Sequence, residues 1–547
     1  MLPRRAPIVL SRTMLCAGTL LSLVLPGAMP QTVRAQQSPL TVSEHPVAAG
    51  EGSSSRRGRG SAKSKRSVVR RVARRRAPPP PPPLVPTTPF GTEALGRDLE
   101  ALLGARGMQG TWGAIVTSVS RGDTLFVHNA DLPLMPASTQ KLFTTVLAFE
   151  RLGVHHQMTT DVLRDGAVDS NGTLQGSLIV RGGGDPAFAG RFLGGMPEDP
   201  MRALAQIVAN AGIKRVAGDV IGDATAFEPQ RIPDGWLSRY LDASYAARVS
   251  ALSLNANLLH VAISPSSSGR AQVTLRPALA GYTVVNSTRT QRNSRGARLT
   301  VSRRGDGTIV AAGWIGARSG PRVYTVVVDD PARFATAAFR KALEEVGVQV
   351  TGKIRLAATP ASAQPIGAIS SPPLYQLARV MNGESDNHFA ELLLRDAVRG
   401  HDPEIVGSAH LGNDQLRALL AERAGTAPAA IRIADGSGLS SVNRITARAL
   451  TELLMYANRA PWSREFHETL PVAGASETLR SRMIATPAQG NLHAKTGTTN
   501  DVIALGGYVT SRSGELLAFT MFYNGRERWN ARETIDAIGA TIAGSSR

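Results

Sequence analysis

From Thr92 the apolar positions of TEALGRDLEALLGA recur at helical spacing and predict a helix. Two runs with strand character follow, TWGAIVTSVS and DTLFVHNA, split by a turn at Arg121–Asp123. LFTTVLAFERLG then predicts an apolar helix reaching Gly153, with Ser138 just ahead of it. TTDVLRD and LQGSLIVRG read as strands around the turn Ser170-Asn171-Gly172. From there to about Gly352 strand patterns prevail, AQVTLRPAL and YTVVV among them. Two helical patches interrupt them, MRALAQIVANAG and RFATAAFRKALEEVG. Helical patterns return after Tyr375. VIALGGYVTS and GELLAFTMFYNG then predict two strands, and a closing helix starts near Ala531. No internal repeat is evident. The pattern therefore predicts a long, mostly β stretch between two regions of mixed helices and strands.

Ahead of Thr92 the pattern is different. Arg4, Arg5 and Arg12 precede the apolar run Met14–Leu25, and Val33-Arg34-Ala35 offers a small-residue cleavage site. Residues 1–35 therefore read as a secretory signal; the apolar run is short for a span of ~20 residues. Residues 36–91 read as a disordered tether with a basic block at 56–76 and then APPPPPPLVPTTP, whose prolines favour an extended chain.

Charge follows the same division. The net charge of +20 falls to +7 for everything after Arg76, because residues 56–76 alone hold eleven Lys and Arg. The basic block could serve as a plain tether or as a binder of an anionic wall or membrane surface. Export leaves nucleic acid an unexpected partner. Cys16 is the only cysteine and lies in the expected signal, so cysteine catalysis, disulfides and cysteine-ligated zinc are excluded from a mature chain. His155-His156 has no HExxH or acidic partner pattern beside it, and neither a metal nor a cofactor is expected.

Three short motifs carry chemistry. Ser138 stands three residues before Lys141, so both fall on one helix face. Ser385-Asp386-Asn387 lies at the head of an apolar helix, and Lys495-Thr496-Gly497 just before the strand from Val502. A serine hydroxyl needs a base, and a lysine becomes one only when burial or a neighbouring cation, such as Lys495, lowers its pKa. Ser385 and Asn387 are suited to proton relay and to holding a substrate amide. Lys495, Thr496 and Thr498 suit a carboxylate, with Gly497 allowing close backbone approach. Each motif alone has a bland reading: Ser138, Ser385 and Asn387 as caps or loop residues, Lys495 as an exposed strand-end lysine. The ordered set SxxK, SDN, KTG is the signature of serine β-lactamases and penicillin-binding proteins.

The separation of 247 positions from Ser138 to Ser385 leaves room for an insert of roughly 200 residues. With GGGDPAF, GDVIGDATAF, ALSLNANLL, DGSGLS, GGYV and YNG, this layout resembles the low-molecular-mass class C penicillin-binding proteins, the D-alanyl-D-alanine carboxypeptidase/endopeptidase family (penicillin-binding protein 4 type). The resemblance runs from about Thr92 to the C-terminus. It implies an α/β (α+β) serine β-lactamase/transpeptidase-like domain made of 92–156 and 366–547, with 157–365 inserted as one or two mostly β domains. It also implies an acyl-enzyme on Ser138, with Lys141 as base and Ser385 passing a proton to the leaving amine. Asn387, Lys495, Thr496, Gly497 and Thr498 would bind substrate, and the backbone N–H groups of Ser138 and Thr498 would form an oxyanion hole. Peptidoglycan peptides are the implied substrate and β-lactams the implied covalent inhibitors, in the periplasm or cell envelope. Asp435–Ser440 is expected only to border the site. A β-lactamase or esterase on the same residues, and a non-enzymatic wall-binding protein, are the alternatives.

Overall fold

The computed structural model describes residues 82–279 and 282–547. The expected signal at 1–35 and the basic block at 56–76 lie outside the described residues. Among the described residues no helix is long and apolar enough to cross a membrane.

A five-stranded antiparallel sheet organises the site. Its order is His493–Thr498, Val502–Thr510, Leu516–Gly525, Gly110–Ser118 and Thr124–His128. Side chains alternate between the two faces of a strand, and here both faces are covered. Val502, Ala504 and Tyr508 enter one core, where the helices Gln140–Leu152, Leu374–Glu384, Asn387–Arg399 and Ala447–Ala457 pack. Ile503, Leu505 and Val509 enter the other, with Leu95 and Leu99 of the Thr92–Gly104 helix and Ile535 and Ile538 of the Arg528–Gly544 helix. Double coverage explains why these strands read as near-continuous apolar runs.

The Thr92–Gly104 helix begins where the pattern predicts. The residues just before it, which composition groups with the tether, are held by the C-terminus. Thr87 N–H donates to Thr541 Oγ1 at 3.1 Å, and Gly91 N–H to the Ser546 carbonyl at 2.8 Å.

The chain leaves this body after Leu152 and returns at Leu374, and the two crossings lie side by side. Ser371 N–H donates to the Met158 carbonyl at 2.8 Å, and Leu374 N–H to the His156 carbonyl at 2.8 Å. Between them stand a seven-stranded sheet and two three-stranded sheets. The Asp199–Asn210 and Pro331–Glu345 helices bury Met201, Leu204, Phe334 and Phe339 against these strands. The α/β body with this mostly β excursion is the fold class that the resemblance implies.

One local expectation fails. Lys495-Thr496-Gly497 does not precede a strand; it lies inside its own, His493–Thr498, paired in register with Val502–Thr510. Only six residues long and rich in polar side chains, it gives a weak apolar alternation.

Candidate active site

Ser138 sits in a single 3₁₀ turn, Ala137–Thr139, that runs directly into the Gln140–Leu152 helix. The turn is forced: Ala137 has φ +46°, a left-handed conformation unfavourable for a residue with a Cβ. Two glycines let neighbouring backbone close on it. A Cβ on Gly438, itself at φ +84°, would lie 1.9 Å from the Ala137 carbonyl oxygen, and one on Gly497 would lie 2.8 Å from that of Pro136. Gly497 thus serves the approach of the serine turn as well as any approach of substrate.

Lys141 is fully buried one turn further on, whereas Ser138 is partly open. Lys141 Nζ makes three hydrogen bonds: to Ser138 Oγ at 3.0 Å, to Asn387 Oδ1 at 2.7 Å and to the Ser437 carbonyl at 2.7 Å. Burial lowers its pKa to about 8, against the opposing charges of Asp435, Asp386 and Glu391. Asn387 Oδ1 and the Ser437 carbonyl are obligate acceptors. In the neutral amine they take both N–H groups and leave the lone pair facing the Ser138 hydroxyl.

Ser385 occupies the break between two helices. It ends Leu374–Glu384 in the left-handed conformation, φ +60°. Asp386 caps the next helix by accepting from Phe389 N–H at 3.2 Å, and Asn387 opens that helix. Asn387 Nδ2 donates to the Tyr245 carbonyl at 2.9 Å. Lys495, also fully buried, donates through Nζ to Ser385 Oγ at 3.0 Å and to the Thr496 carbonyl at 2.9 Å. Burial, followed by the charge of Lys141, pushes its pKa well below the usual lysine value. Thr496 and Gly497 are buried, and Thr498 is exposed at the end of the strand. The structure therefore brings Ser138, Lys141, Ser385, Asn387 and Lys495 together from three distant segments as two hydrogen-bonded groups, Ser138–Lys141–Asn387 and Ser385–Lys495, close enough that the charge of Lys141 acts on Lys495.

The family follows from comparison of the chain with known proteins. The model of the D-Ala-D-Ala carboxypeptidase 3 (S13) family matches residues 95–544. The chain belongs to that family. It is 31% identical over 466 residues to the D-alanyl-D-alanine carboxypeptidase of Actinomadura sp. (strain R39), covering 82% of this chain and 84% of that one. It is 27% identical to the D-alanyl-D-alanine carboxypeptidase DacB of Haemophilus influenzae, over 76% of this chain and 85% of the relative. The crystal structure of penicillin binding protein 4 (dacB) from Haemophilus influenzae superposes with a TM-score of 0.67 at 24% identity, covering 80% of this chain and 98% of that one. The resemblance to the penicillin-binding protein 4 type is borne out, and so is the assignment as a carboxypeptidase-family hydrolase.

Several members of this S13 site escaped the motifs. Asp435, fully buried, accepts from Gly438 N–H at 2.9 Å, Asn443 Nδ2 at 2.7 Å, Ser440 N–H at 2.8 Å, Ser437 Oγ at 3.0 Å and Trp236 Nε1 at 2.8 Å. This carboxylate shapes the turn that offers the Ser437 carbonyl to Lys141. The turn thus touches the lysine, where the sequence reading has it only bordering the site. Glu391 supports it from below: Oε1 accepts the Ser437 N–H at 2.9 Å and Oε2 accepts Arg395 Nη1 at 3.0 Å. Arg395, buried to 0% exposure, also reaches Glu228 of the excursion at 3.2 Å. The available signal was Glu391 and Arg395 at i, i+4 within the apolar run FAELLLR. The two candidate histidines are otherwise engaged: His156 Nε2 lies 3.1 Å from Asp396, and the His155 ring meets Tyr375 edge-on.

Proposed function

We propose that the chain is an exported D-alanyl-D-alanine carboxypeptidase that also cleaves D-alanyl cross-links of peptidoglycan, through an acyl-enzyme on Ser138. The observation that carries this reading is the buried Lys141 amine, 3.0 Å from Ser138 Oγ, with its other two bonds fixed on Asn387 and Ser437. Lys141 takes the Ser138 proton as Oγ attacks the carbonyl of the penultimate D-alanine. The tetrahedral oxyanion is held by the backbone N–H groups of Ser138 and Thr498, contacts of a kind often worth ~3 kcal/mol. Ser385, bonded to Lys495, gives its proton to the leaving amine as the C–N bond breaks and takes in exchange the proton that Lys141 had accepted from Ser138. Asn387 grips the donor peptide, and Lys495, Thr496 and Thr498 receive the terminal carboxylate, with Gly497 keeping the strand close. Water then attacks the ester carbonyl, its proton passing through Lys141 to Ser138 Oγ as the ester C–O bond breaks.

Penicillins enter the same path and stop at the ester. In support, penicillin binding protein 4 from Haemophilus influenzae, 25% identical to this chain, has been crystallised with a β-lactam. The expected signal at 1–35 supports an envelope location.

The test uses labelled penicillin and a pentapeptide ending in D-Ala-D-Ala. The expected result is a long-lived adduct on Ser138 and release of D-alanine, both lost in Ser138→Ala. Rapid penicillin turnover without D-alanine release would make the chain a β-lactamase. Equal inertness of wild type and Ser138→Ala toward both compounds would leave a wall-binding protein.

A further inference from the structure

The folded body's positive charge is concentrated in one small part of the excursion. Residues 265–328 hold ten arginines and a single acid, Asp306, a net charge of +9. Everything after Arg76 carries only +7, so the rest of that length is slightly acidic.

The strands Val284–Gln291, Ala297–Arg303 and Ile309–Gly316 arrange this charge. The last is central, and its Ile309, Ala311 and Ile315 face the core. The opposite face is therefore open to solvent. On it Trp314 stands directly between Arg298 and Arg289, its register partners on the two neighbouring strands. With strands ~4.8 Å apart, the two arginines flank the half-buried indole at roughly 10 Å from each other. Further arginines join the same end. Arg292 and Arg295 lie in the connection between the first two strands, and Arg318 N–H binds the Ser294 carbonyl at 3.2 Å. Arg270 follows Gly269, whose carbonyl accepts Thr290 N–H at 2.8 Å. All six are exposed, and among the described residues none pairs with an acid. Asp306 lies in the turn at the far end.

We propose that this face is an exosite for the peptidoglycan strand itself, holding carboxylates of stem peptides other than the one being cut. The proposal rests on the reading above that the wall polymer is the substrate. An array of unpaired guanidinium forks fits a polymer with repeating carboxylates, because each fork binds a carboxylate bidentately and stays charged at every working pH. The face has no large exposed apolar side chain: Trp314 is half-buried, and the neighbouring outward positions are Ser287, Thr300, Ser302, Ala312, Val285 and Val310, none of them among the exposed large hydrophobics. Nothing on it suits insertion into a bilayer, which favours a hydrated polymer over lipid. The basic block at 56–76 adds a second cationic element to the same chain, which strengthens avidity for one polyanion.

The experiment compares the full chain with a variant carrying Arg289→Gln, Arg292→Gln, Arg295→Gln, Arg298→Gln and Arg318→Gln. A second variant carries Lys at the same five positions, and thermal melts verify that both are folded. Co-sedimentation with insoluble peptidoglycan is measured at low and high salt, alongside kcat/KM on soluble pentapeptide and on polymer. The Gln variant should lose at least tenfold in polymer affinity and in kcat/KM on polymer. Its salt dependence should flatten, and pentapeptide cleavage should be unchanged. The Lys variant should keep most of the affinity. Wild-type polymer binding by the Gln variant overturns the proposal. So does a loss seen only with anionic vesicles, a phosphate polymer or DNA. If wild type fails to cleave the pentapeptide, the proposed activity falls, while sedimentation still decides whether these arginines bind the polymer.

Discussion

Glu391 Oε1 accepts the Ser437 N–H at 2.9 Å, and the carbonyl of the same Ser437 accepts Lys141 Nζ at 2.7 Å. A buried carboxylate thus orients the group that orients the lysine. Its negative charge also holds up the Lys141 pKa. Glu391→Gln keeps an acceptor for Ser437 and removes the charge, so the lysine loses its proton more readily. The ascending limb of penicillin acylation against pH should move to lower pH than in wild type. An unmoved limb in a folded variant would refute the coupling. Glu391→Ala leaves buried Arg395 with Glu228 as its remaining carboxylate partner and should lower stability by about 1–3 kcal/mol in denaturant titration.

In the proposed mechanism Lys141 itself sets the wild-type limb. Its pKa is lowered to about 8, so the neutral amine, the base form, increases as pH rises through that value. Acylation by a neutral ester should climb roughly tenfold per pH step well below 8 and level off above it. Stopped-flow rates that are flat from pH 6 to 9 would remove Lys141 as the base.

Lys495 is buried and its pKa is pushed well below the usual value, first by burial and then by Lys141. Lys495→Met discards a poorly solvated amine, so the fold should tolerate it. The pentapeptide, which carries a terminal carboxylate, should lose about 100-fold or more in kcat/KM, the scale of a lost charge-assisted contact of ~3 kcal/mol. An ester substrate without a carboxylate should be much less affected. Equal losses on both would point away from carboxylate recognition.

Gly438 cannot take a side chain, since a Cβ there would lie 1.9 Å from the Ala137 carbonyl oxygen at φ +84°. Gly438→Ala should reduce acylation at least tenfold, with a stability loss of roughly 1–3 kcal/mol. Gly96→Ala is the contrast: it lies inside the Thr92–Gly104 helix with nothing within 4 Å of its Cβ position. It should stabilise by about 0.5–1 kcal/mol and leave acylation alone.

Trp236→Phe removes the Nε1 donor that reaches Asp435 across from the excursion. A buried carboxylate that loses one of five donors should cost about 1–3 kcal/mol. Chemical denaturation measures it, and a loss below a few tenths would mean that the remaining four bonds suffice.

Much of this was legible because the relevant patterns are local. Apolar spacing located the Gln140–Leu152 and Asn387–Arg399 helices, and Ser385-Asp386-Asn387 marks the break between two helices by its own capping chemistry. The short strand carrying Lys495 was missed because its residues lack alternation and its partner strand supplies the order. Asp435, Glu391 and Trp236 were invisible as a group. Their relationship exists only after the excursion folds back, and no spacing along the chain encodes it. The arginines at 289 and 298 were likewise scattered letters until strand register set them on either side of Trp314.

The side-by-side crossings at His156–Met158 and Ser371–Leu374 make the excursion topologically detachable: the chain could be spliced there over a few ångströms. Chemically it is not detachable. Such a splice would remove Trp236 from Asp435, Glu228 from Arg395 and Tyr245 from Asn387, leaving the lysine's two fixed acceptors without their outer supports. A shortened chain would be expected to keep its five-stranded core and lose the alignment of Lys141 on Ser138. The segment that interrupts the catalytic body in sequence is the segment that completes it in space.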